Sequence, residues 1–104
     1  MKYMVDIDGT ICNNTHGEYS KAQPIQERIE YFNRLYNQGH EIHYWTARGG
    51  NTGLDWSELT QYQLDTWGAK YTSLRTGKPP YDLWIDDKAV NADTFFDENF
   101  TNRP

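Results

Sequence analysis

Short apolar segments recur along this chain, and polar or acidic residues follow most of them. Short runs that are continuously apolar are typical of buried strands, and short runs in which apolar and polar residues alternate are typical of half-buried strands. They predict strands over residues 1–7, 41–46, 70–74 and 81–85. The chain therefore opens with a strand and returns to strands at later points.

Two stretches between these strands have the apolar spacing of helices. The first follows Pro24 and ends at Gly39, which suits a helix start and a helix end respectively. Its apolar positions recur at helical spacing, at Ile25, Ile29, Phe32 and Tyr36. The second begins near Asp55, which forms a capping-box pattern with Glu58, and ends at Gly68.

Alternating strands and helices indicate an α/β fold, a small Rossmann-like parallel sheet of about four or five strands flanked by helices. Residues 89–96 favour a short element of either kind. No linker or repeat interrupts the chain, so a single domain is expected over residues 1–104, with no room for a cap domain. Ligands of such sheets bind at the carboxyl ends of the strands, where the polar motifs of this chain fall.

Composition narrows the classes of function. An apolar fraction of 37% with 15% aromatic residues suffices for one core, and no apolar run is long enough to cross a membrane. A net charge of −5 disfavours an extended nucleic acid as partner. Cys12 is the sole cysteine and no secretory signal is evident, so a cytoplasmic setting is expected. Aromatic residues beyond core needs, such as Tyr62 and Tyr71, leave a homo-oligomer open.

The acids that follow the first strand form the strongest motif. Asp6 and Asp8 are two residues apart, so on extended backbone their side chains share one side. Their mutual repulsion is relieved by a cation, and a hard ion such as Mg²⁺ suits oxygen ligands. One carboxylate can then attack phosphorus while the other handles the proton. Gly9 permits a sharp exit from the strand, and Thr10 adds a hydroxyl and a backbone N–H.

Three further segments carry candidate chemistry. Thr46 and Ala47 end the second strand and can present a hydroxyl and N–H groups to a phosphate, with Arg48 as a permanent cation beside them. In isolation, a solvated arginine fits Arg48 equally well. Lys78, between Gly77 and Pro79, can offset crowded negative charge near the acids. Asp86 and Asp87 follow apolar residues and would complete an oxygen-rich cation site.

These motifs, in this order, resemble those of the haloacid dehalogenase-like superfamily of phosphatases, in its minimal capless form. The resemblance runs over roughly residues 3–88 and is most specific at Val5-Asp6-Ile7-Asp8-Gly9-Thr10-Ile11. It implies Asp6 as the nucleophile and Asp8 as the general acid/base. Thr46 would orient the phosphate, and Lys78 would match the superfamily's third motif.

The resemblance also implies a Mg²⁺ ion. Asp6 would bind it through its carboxylate and Asp8 through its backbone carbonyl. Asp87 is favoured as the direct ligand of the second acidic pair, with Asp86 holding Lys78 or a water molecule. The Thr-Ala-Arg-Gly sequence that contains Arg48 resembles the form of the second motif found in small phage and bacterial phosphatases.

The leading hypothesis is a Mg²⁺-dependent phosphomonoester hydrolase that works through an aspartyl-phosphate. Its substrate is expected to be a small phosphorylated metabolite, first of all a sugar phosphate. A polynucleotide 3′-phosphatase and a non-catalytic phosphate- or metal-binding module are the two alternatives.

Overall fold

The computed structural model describes residues 1–50 and 52–101. In this part of the chain a parallel sheet is built from β1 (Lys2–Val5), β2 (Glu41–Trp45) and β3 (Ser73–Arg75), in the order β1-β2-β3. Helices α1 (Gln26–Asn37) and α2 (Ser57–Thr66) connect the strands, and α3 (Ala92–Thr101) follows them. A single turn of 3-10 helix, Tyr19–Lys21, lies in the long connection before α1. The predicted parallel α/β architecture is therefore confirmed.

The register of the sheet places alternate side chains on opposite faces. Val5 pairs with Tyr44 and Tyr44 with Leu74, so these side chains share the face that the helices cover. Met4 pairs with His43 on the opposite face, where Met4 is 52% exposed. The sheet thus has one buried face and one open face.

The core lies between the covered face and the helices. Ile29 and Phe32 of α1 are buried because helical spacing brings both onto one side of that helix. They meet Ile42 and Tyr44 of β2 within a single apolar cluster. Phe96 of α3 packs edge-to-face on Phe32, with ring centres 5.6 Å apart. The C-terminal helix therefore completes this core, and the ambiguous segment after residue 88 is helical from Ala92.

Helix starts differ from the sequence prediction in detail. No side chain caps α1, whose first helical residue lies two positions after Pro24. At α2 the predicted capping box is replaced by a local turn, because the Asp55 carboxylate accepts hydrogen bonds from the Ser57 backbone N–H at 2.9 Å and the Ser57 hydroxyl at 2.6 Å. Asp55 still stabilises the start of the helix, but it binds the backbone N–H one residue earlier than a capping box with Glu58 would.

The strand predicted over residues 81–85 does not form. Over the described residues the sheet has three strands, so the expected four or five are not confirmed. Pro79 and Pro80 precede the segment and lack the N–H groups that strand pairing uses. Trp84 packs edge-on against Trp45 instead, with ring centres 6.1 Å apart, while Leu83 and Ile85 stay 75% and 87% exposed. Side-chain packing, and not a backbone ladder, therefore positions this segment.

None of the helices described here is long and apolar enough to traverse a lipid bilayer.

Candidate functional site

The carboxyl ends of β1 and β2 bring together an acid, a strand-end threonine and a lysine. Asp6 follows β1 directly, and its Oδ1 lies 3.6 Å from Lys78 Nζ. The backbone N–H of Lys78 donates to the Thr46 carbonyl at 3.1 Å, which fastens the lysine loop to the end of β2. Three of the predicted catalytic residues are therefore neighbours, although about 30 residues of chain or more separate one from the next.

Asp6 is the more exposed of the two acids that follow β1, since Asp8 is only 19% exposed. Its side chain is 37% exposed, against 12% for Lys78. Partial burial raises the pKa of the Asp6 carboxyl above its ordinary value of 3.8, and the Lys78 ammonium opposes this rise. A partly desolvated carboxylate next to a cation is a suitable nucleophile for phosphorus.

A tight turn follows the two acids. The backbone N–H groups of Thr10 and Ile11 both donate to the Ile7 carbonyl at 3.0 Å, and Gly9 adopts a φ of 82°. That conformation favours glycine, as the sequence predicted. Thr10 is half-buried, and its carbonyl accepts a hydrogen bond from Arg28 Nη1 at 3.1 Å. The turn thus fixes where Asp8 points.

Asp8 points toward Arg48 and forms a two-point ion pair with it. Arg48 Nε donates to Asp8 Oδ2 at 3.0 Å, and Arg48 Nη2 donates to Oδ1 at 2.9 Å. Paired N–H donors of this kind are among the strongest partners a carboxylate can have. If the Asp8 carboxylate took up a proton, it would lose one of these two hydrogen bonds.

Arg48 is buried, contrary to the expectation that it meets a phosphate. Its side chain has no exposed surface. Its remaining Nη1 donates to Thr60 Oγ1 at 3.2 Å and to Gln63 Oε1 at 2.6 Å, both on α2. The guanidinium also lies 4.7 Å from the centre of the Tyr19 ring. Because α2 supplies acceptors on the inner side, the arginine turns inward and joins Asp8 to the helix.

Thr46 and Ala47 are placed differently from one another. Thr46 is fully buried, and its hydroxyl oxygen accepts the Arg48 backbone N–H at 3.1 Å. Its position at the strand end is as predicted, but its hydroxyl serves the loop and not the surface. Ala47 is half-buried, and its carbonyl accepts the Gly50 N–H at 2.9 Å.

The second acidic pair is not assembled with the first. Asp86 and Asp87 lie in the exposed segment after Trp84, where hydrogen bonds, first from the Lys88 backbone N–H, lower the pKa of Asp86. Among the described side chains of residues 1–50 and 52–97, no three of His, Cys, Asp and Glu come together in a way that could hold a metal ion. The predicted Mg²⁺ ligand set therefore does not fit the residues as they are placed here.

Cys12 lies beside the ion pair, but its thiol is not a candidate nucleophile. Its Sγ is 3.6 Å from Asp8 Oδ1, and burial together with the Asp8 charge raises the pKa of the thiol to about 12. The thiolate is therefore not formed near neutral pH.

Sequence reasoning missed two groups of side chains around the site. Tyr19, Thr60 and Gln63 surround Arg48, and only the packing of α2 and the 3-10 turn brings them there. Tyr81 and Trp84 place their rings 5.2 and 5.6 Å from Lys78 Nζ. The closeness of both residues to Lys78 in the sequence is a signal that could have identified this second group.

Fold and site define a small parallel α/β protein with an acid–lysine centre at the carboxyl ends of its strands. A protein of Vibrio cholerae with a known crystal structure is 30% identical to the chain, with a TM-score of 0.79, over 90% of the chain and 85% of that protein. The chain belongs to the same family as this Vibrio cholerae protein.

A second similarity concerns the fold alone. One chain of the Pnkp1/Rnl/Hen1 complex superposes with a TM-score of 0.59 and 18% identity, over 91% of this chain and 33% of that one. No family model and no curated protein matches the chain.

Proposed function

We propose that this chain is a phosphomonoester hydrolase of the haloacid dehalogenase-like type, with Asp6 as its nucleophile. The observation that carries the proposal is the pairing of a solvent-accessible Asp6 carboxylate with the Lys78 ammonium, 3.6 Å away, at the ligand-binding end of a parallel sheet. The order of the acidic and lysine motifs along the chain supports the same activity.

The reaction takes place in two displacements at phosphorus. An Asp6 oxygen attacks the phosphorus, a new O–P bond forms, and the bond from phosphorus to the leaving oxygen breaks. The leaving oxygen takes a proton, which yields the free alcohol and an aspartyl-phosphate. Water then attacks the same phosphorus and gives a proton to Asp8; its new O–P bond replaces the bond to the Asp6 oxygen, which releases inorganic phosphate and restores the Asp6 carboxylate. Lys78 offsets the negative charge of the phosphoryl group in both steps.

Asp8 is the proposed proton donor to the leaving oxygen, and Arg48 controls whether it can act. Both Asp8 oxygens accept hydrogen bonds from Arg48, so carrying a proton requires Asp8 to give up one of them. Asp8 is also the carboxylate nearest in sequence to Asp6, which favours it over other acids for this role.

Dependence on Mg²⁺ stays a prediction from the resemblance, and no step above runs through the ion. EDTA tests it: the resemblance predicts that chelation abolishes phosphate release and that added Mg²⁺ restores it, whereas the observed placement of the acids predicts that activity persists. Full activity in EDTA would contradict the predicted requirement.

A polynucleotide 3′-phosphatase is the second candidate. The fold similarity to a chain of the Pnkp1/Rnl/Hen1 complex is consistent with it, and an open site without a cap would admit a large substrate. The net charge of −5 weighs against an extended polyanion. Comparing a 3′-phosphorylated oligonucleotide with small phosphomonoesters separates the two candidates.

Phosphate release from a broad panel of phosphomonoesters tests the proposed activity. The wild-type chain is compared with Asp6→Asn, and Asp97→Asn, an exposed acid on α3, is the matched control. We expect Asp6→Asn to lower the rate by about a thousandfold or more, while Asp97→Asn leaves it unchanged. Binding of phosphate or metal without turnover on any substrate would favour the non-catalytic module instead.

A further inference from the structure

Two aromatic rings lie exposed beside the proposed catalytic lysine. Tyr81 is 49% exposed and Trp84 is 40% exposed. Lys78 Nζ lies 5.2 Å from the centre of the Tyr81 ring, 5.6 Å from that of the Trp84 ring, and 3.6 Å from Asp6 Oδ1. One ammonium group therefore contacts both the reacting carboxylate and the pair of rings, which we name the aromatic platform.

The sheet supports this platform from behind. Trp45, the last residue of β2, packs edge-to-face on Trp84 with ring centres 6.1 Å apart and an interplanar angle of 83°. Tyr81 and Trp84 are themselves 5.1 Å apart. Thr46 follows Trp45 directly, so the support of the platform and the end of β2 at the site are consecutive residues. The platform is thus fixed relative to the site.

If the two rings served only to hold Lys78 in position, their contacts with its ammonium group would be explained, but their exposure to solvent would not. A cation–π contact with one ring would restrain the ammonium group. Two large rings left about half open to water instead form an apolar surface beside the ammonium and the carboxylate that are proposed to meet the phosphate. Exposed aromatic surface of this kind is typical of binding sites.

We propose that the aromatic platform stacks a nucleobase, so that the phosphomonoester taken by this site is a nucleotide. This inference rests on the proposed function, since the phosphate is assumed to meet Asp6 and Lys78. Every nucleobase offers a flat π-face to an aromatic side chain, and each stacked base contributes about a tenfold gain in binding or more. The base is part of either a free mononucleotide or the phosphorylated end of an oligonucleotide.

A plain sugar phosphate matches the platform less well. Sugar hydroxyl groups need hydrogen-bond partners, and the two rings offer only the Tyr81 hydroxyl and the Trp84 ring N–H, which already faces Asp86. The surface therefore selects a ligand with a flat, apolar face over one covered with hydroxyl groups.

Turnover of substrates with and without a base tests the inference. We compare kcat/KM for adenosine monophosphate, a 3′-phosphorylated oligonucleotide and ribose 5-phosphate. The expected result is that at least one base-bearing substrate exceeds ribose 5-phosphate by about tenfold or more. Whichever of the two is better identifies the source of the base. Equal kcat/KM for all three substrates would overturn the proposal.

Three variants separate stacking from other roles of Trp84. Trp84→Leu removes the ring, Trp84→Phe keeps a ring without the N–H that faces Asp86, and Leu83→Ala is a neighbouring exposed control. We expect Trp84→Leu to raise KM about tenfold for base-bearing substrates only, and the other two to keep the preference. An equal loss on ribose 5-phosphate would mean that Trp84 only positions Lys78, and would overturn the proposal.

A binding measurement keeps this inference independent of catalysis. Titrating adenosine monophosphate into the wild-type chain and into Trp84→Leu, by calorimetry, needs no turnover. Binding that is weakened about tenfold in Trp84→Leu supports the platform even if the chain hydrolyses nothing, in which case only the proposed function fails. Equal binding by both, or none by either, would overturn the platform.

Discussion

Asp6 and Asp8 are two residues apart, yet their surroundings give them opposite effects on stability. Burial raises the pKa of Asp6, so the folded state disfavours its ionised form. Asp8 instead accepts two hydrogen bonds from a guanidinium with no exposed surface. One acid is therefore maintained at a cost to the fold, and the other helps to hold the fold together.

Asp6→Asn is expected to leave the protein as stable as the wild type or more stable at neutral pH. A raised folded pKa gives stability that is present below the ordinary value of 3.8 and is lost as pH rises through the folded value. The gain in melting temperature over the wild type should therefore be small near pH 3 and larger near pH 7. Thermal melts across this pH range check it; a variant less stable than the wild type at pH 7 contradicts the account.

Asp8→Asn is expected to destabilise the protein, because it leaves the buried Arg48 charge with half of its partner. Breaking a buried pair in this way costs about 3 kcal/mol, and urea denaturation measures the loss. Asp97→Asn, on the exposed side of α3, should change stability by less than about 0.5 kcal/mol. If the two variants were equally stable, the Asp8–Arg48 pair would not support the fold.

At the scale of the elements, the loop after β2 depends on Gly49. This residue has a φ of 83°, and a Cβ added there would lie 2.1 Å from the Leu54 carbonyl oxygen. Gly53 has a similar φ of 74°, but a Cβ there would meet nothing within 4 Å. A residue with a Cβ would be strained by the backbone conformation at both positions, but only at Gly49 would the Cβ also lack room.

Gly49→Ala should therefore destabilise the protein more than Gly53→Ala does. The strained φ costs about 1 kcal/mol at either site, and the clash adds about 1–3 kcal/mol at Gly49 alone. Differential scanning calorimetry of both variants checks the order. Equal melting temperatures would show that the loop adjusts freely around Leu54.

Sequence patterns predicted the elements whose side chains face one continuous core. The helical spacing of Ile29 and Phe32 predicts α1, and the alternation from residue 41 onward predicts β2. Both patterns are clear because one side of each element is buried and the other is more exposed. Residues 81–85 have strong strand propensity, but a strand also needs an adjacent backbone to pair with. Propensity alone does not provide that partner, so this prediction was wrong.

The site was predictable to the extent that strand ends converge in a parallel sheet. Asp6, Thr46 and Lys78 lie near one another because each follows or adjoins a strand end, and their catalytic roles stay a prediction. The direction of Arg48 was not, since it depends on Thr60 and Gln63, which reach it only through the packing of α2. Long-range acceptors of this kind leave no local pattern in the sequence.

At the scale of the whole molecule, the core and the candidate site lie at different parts of the sheet. The helices and the core occupy one face, where Phe96 of α3 closes the cluster around Phe32. The site and the aromatic platform lie at the carboxyl ends of β1 and β2 instead, where Tyr81 and Trp84 are partly exposed. This arrangement leaves the Asp6 carboxylate and the two rings of the platform accessible from solvent.

A phosphoryl group trapped on the protein tests the central claim most directly. The chain is mixed with a phosphomonoester that it hydrolyses, quenched in acid within the first turnover, and fragmented for mass spectrometry. The account predicts one phosphoryl group on Asp6 and none on the Asp6→Asn variant. A phosphoryl group on another residue, or a first turnover that releases phosphate with no label on the protein at any quench time, would contradict it.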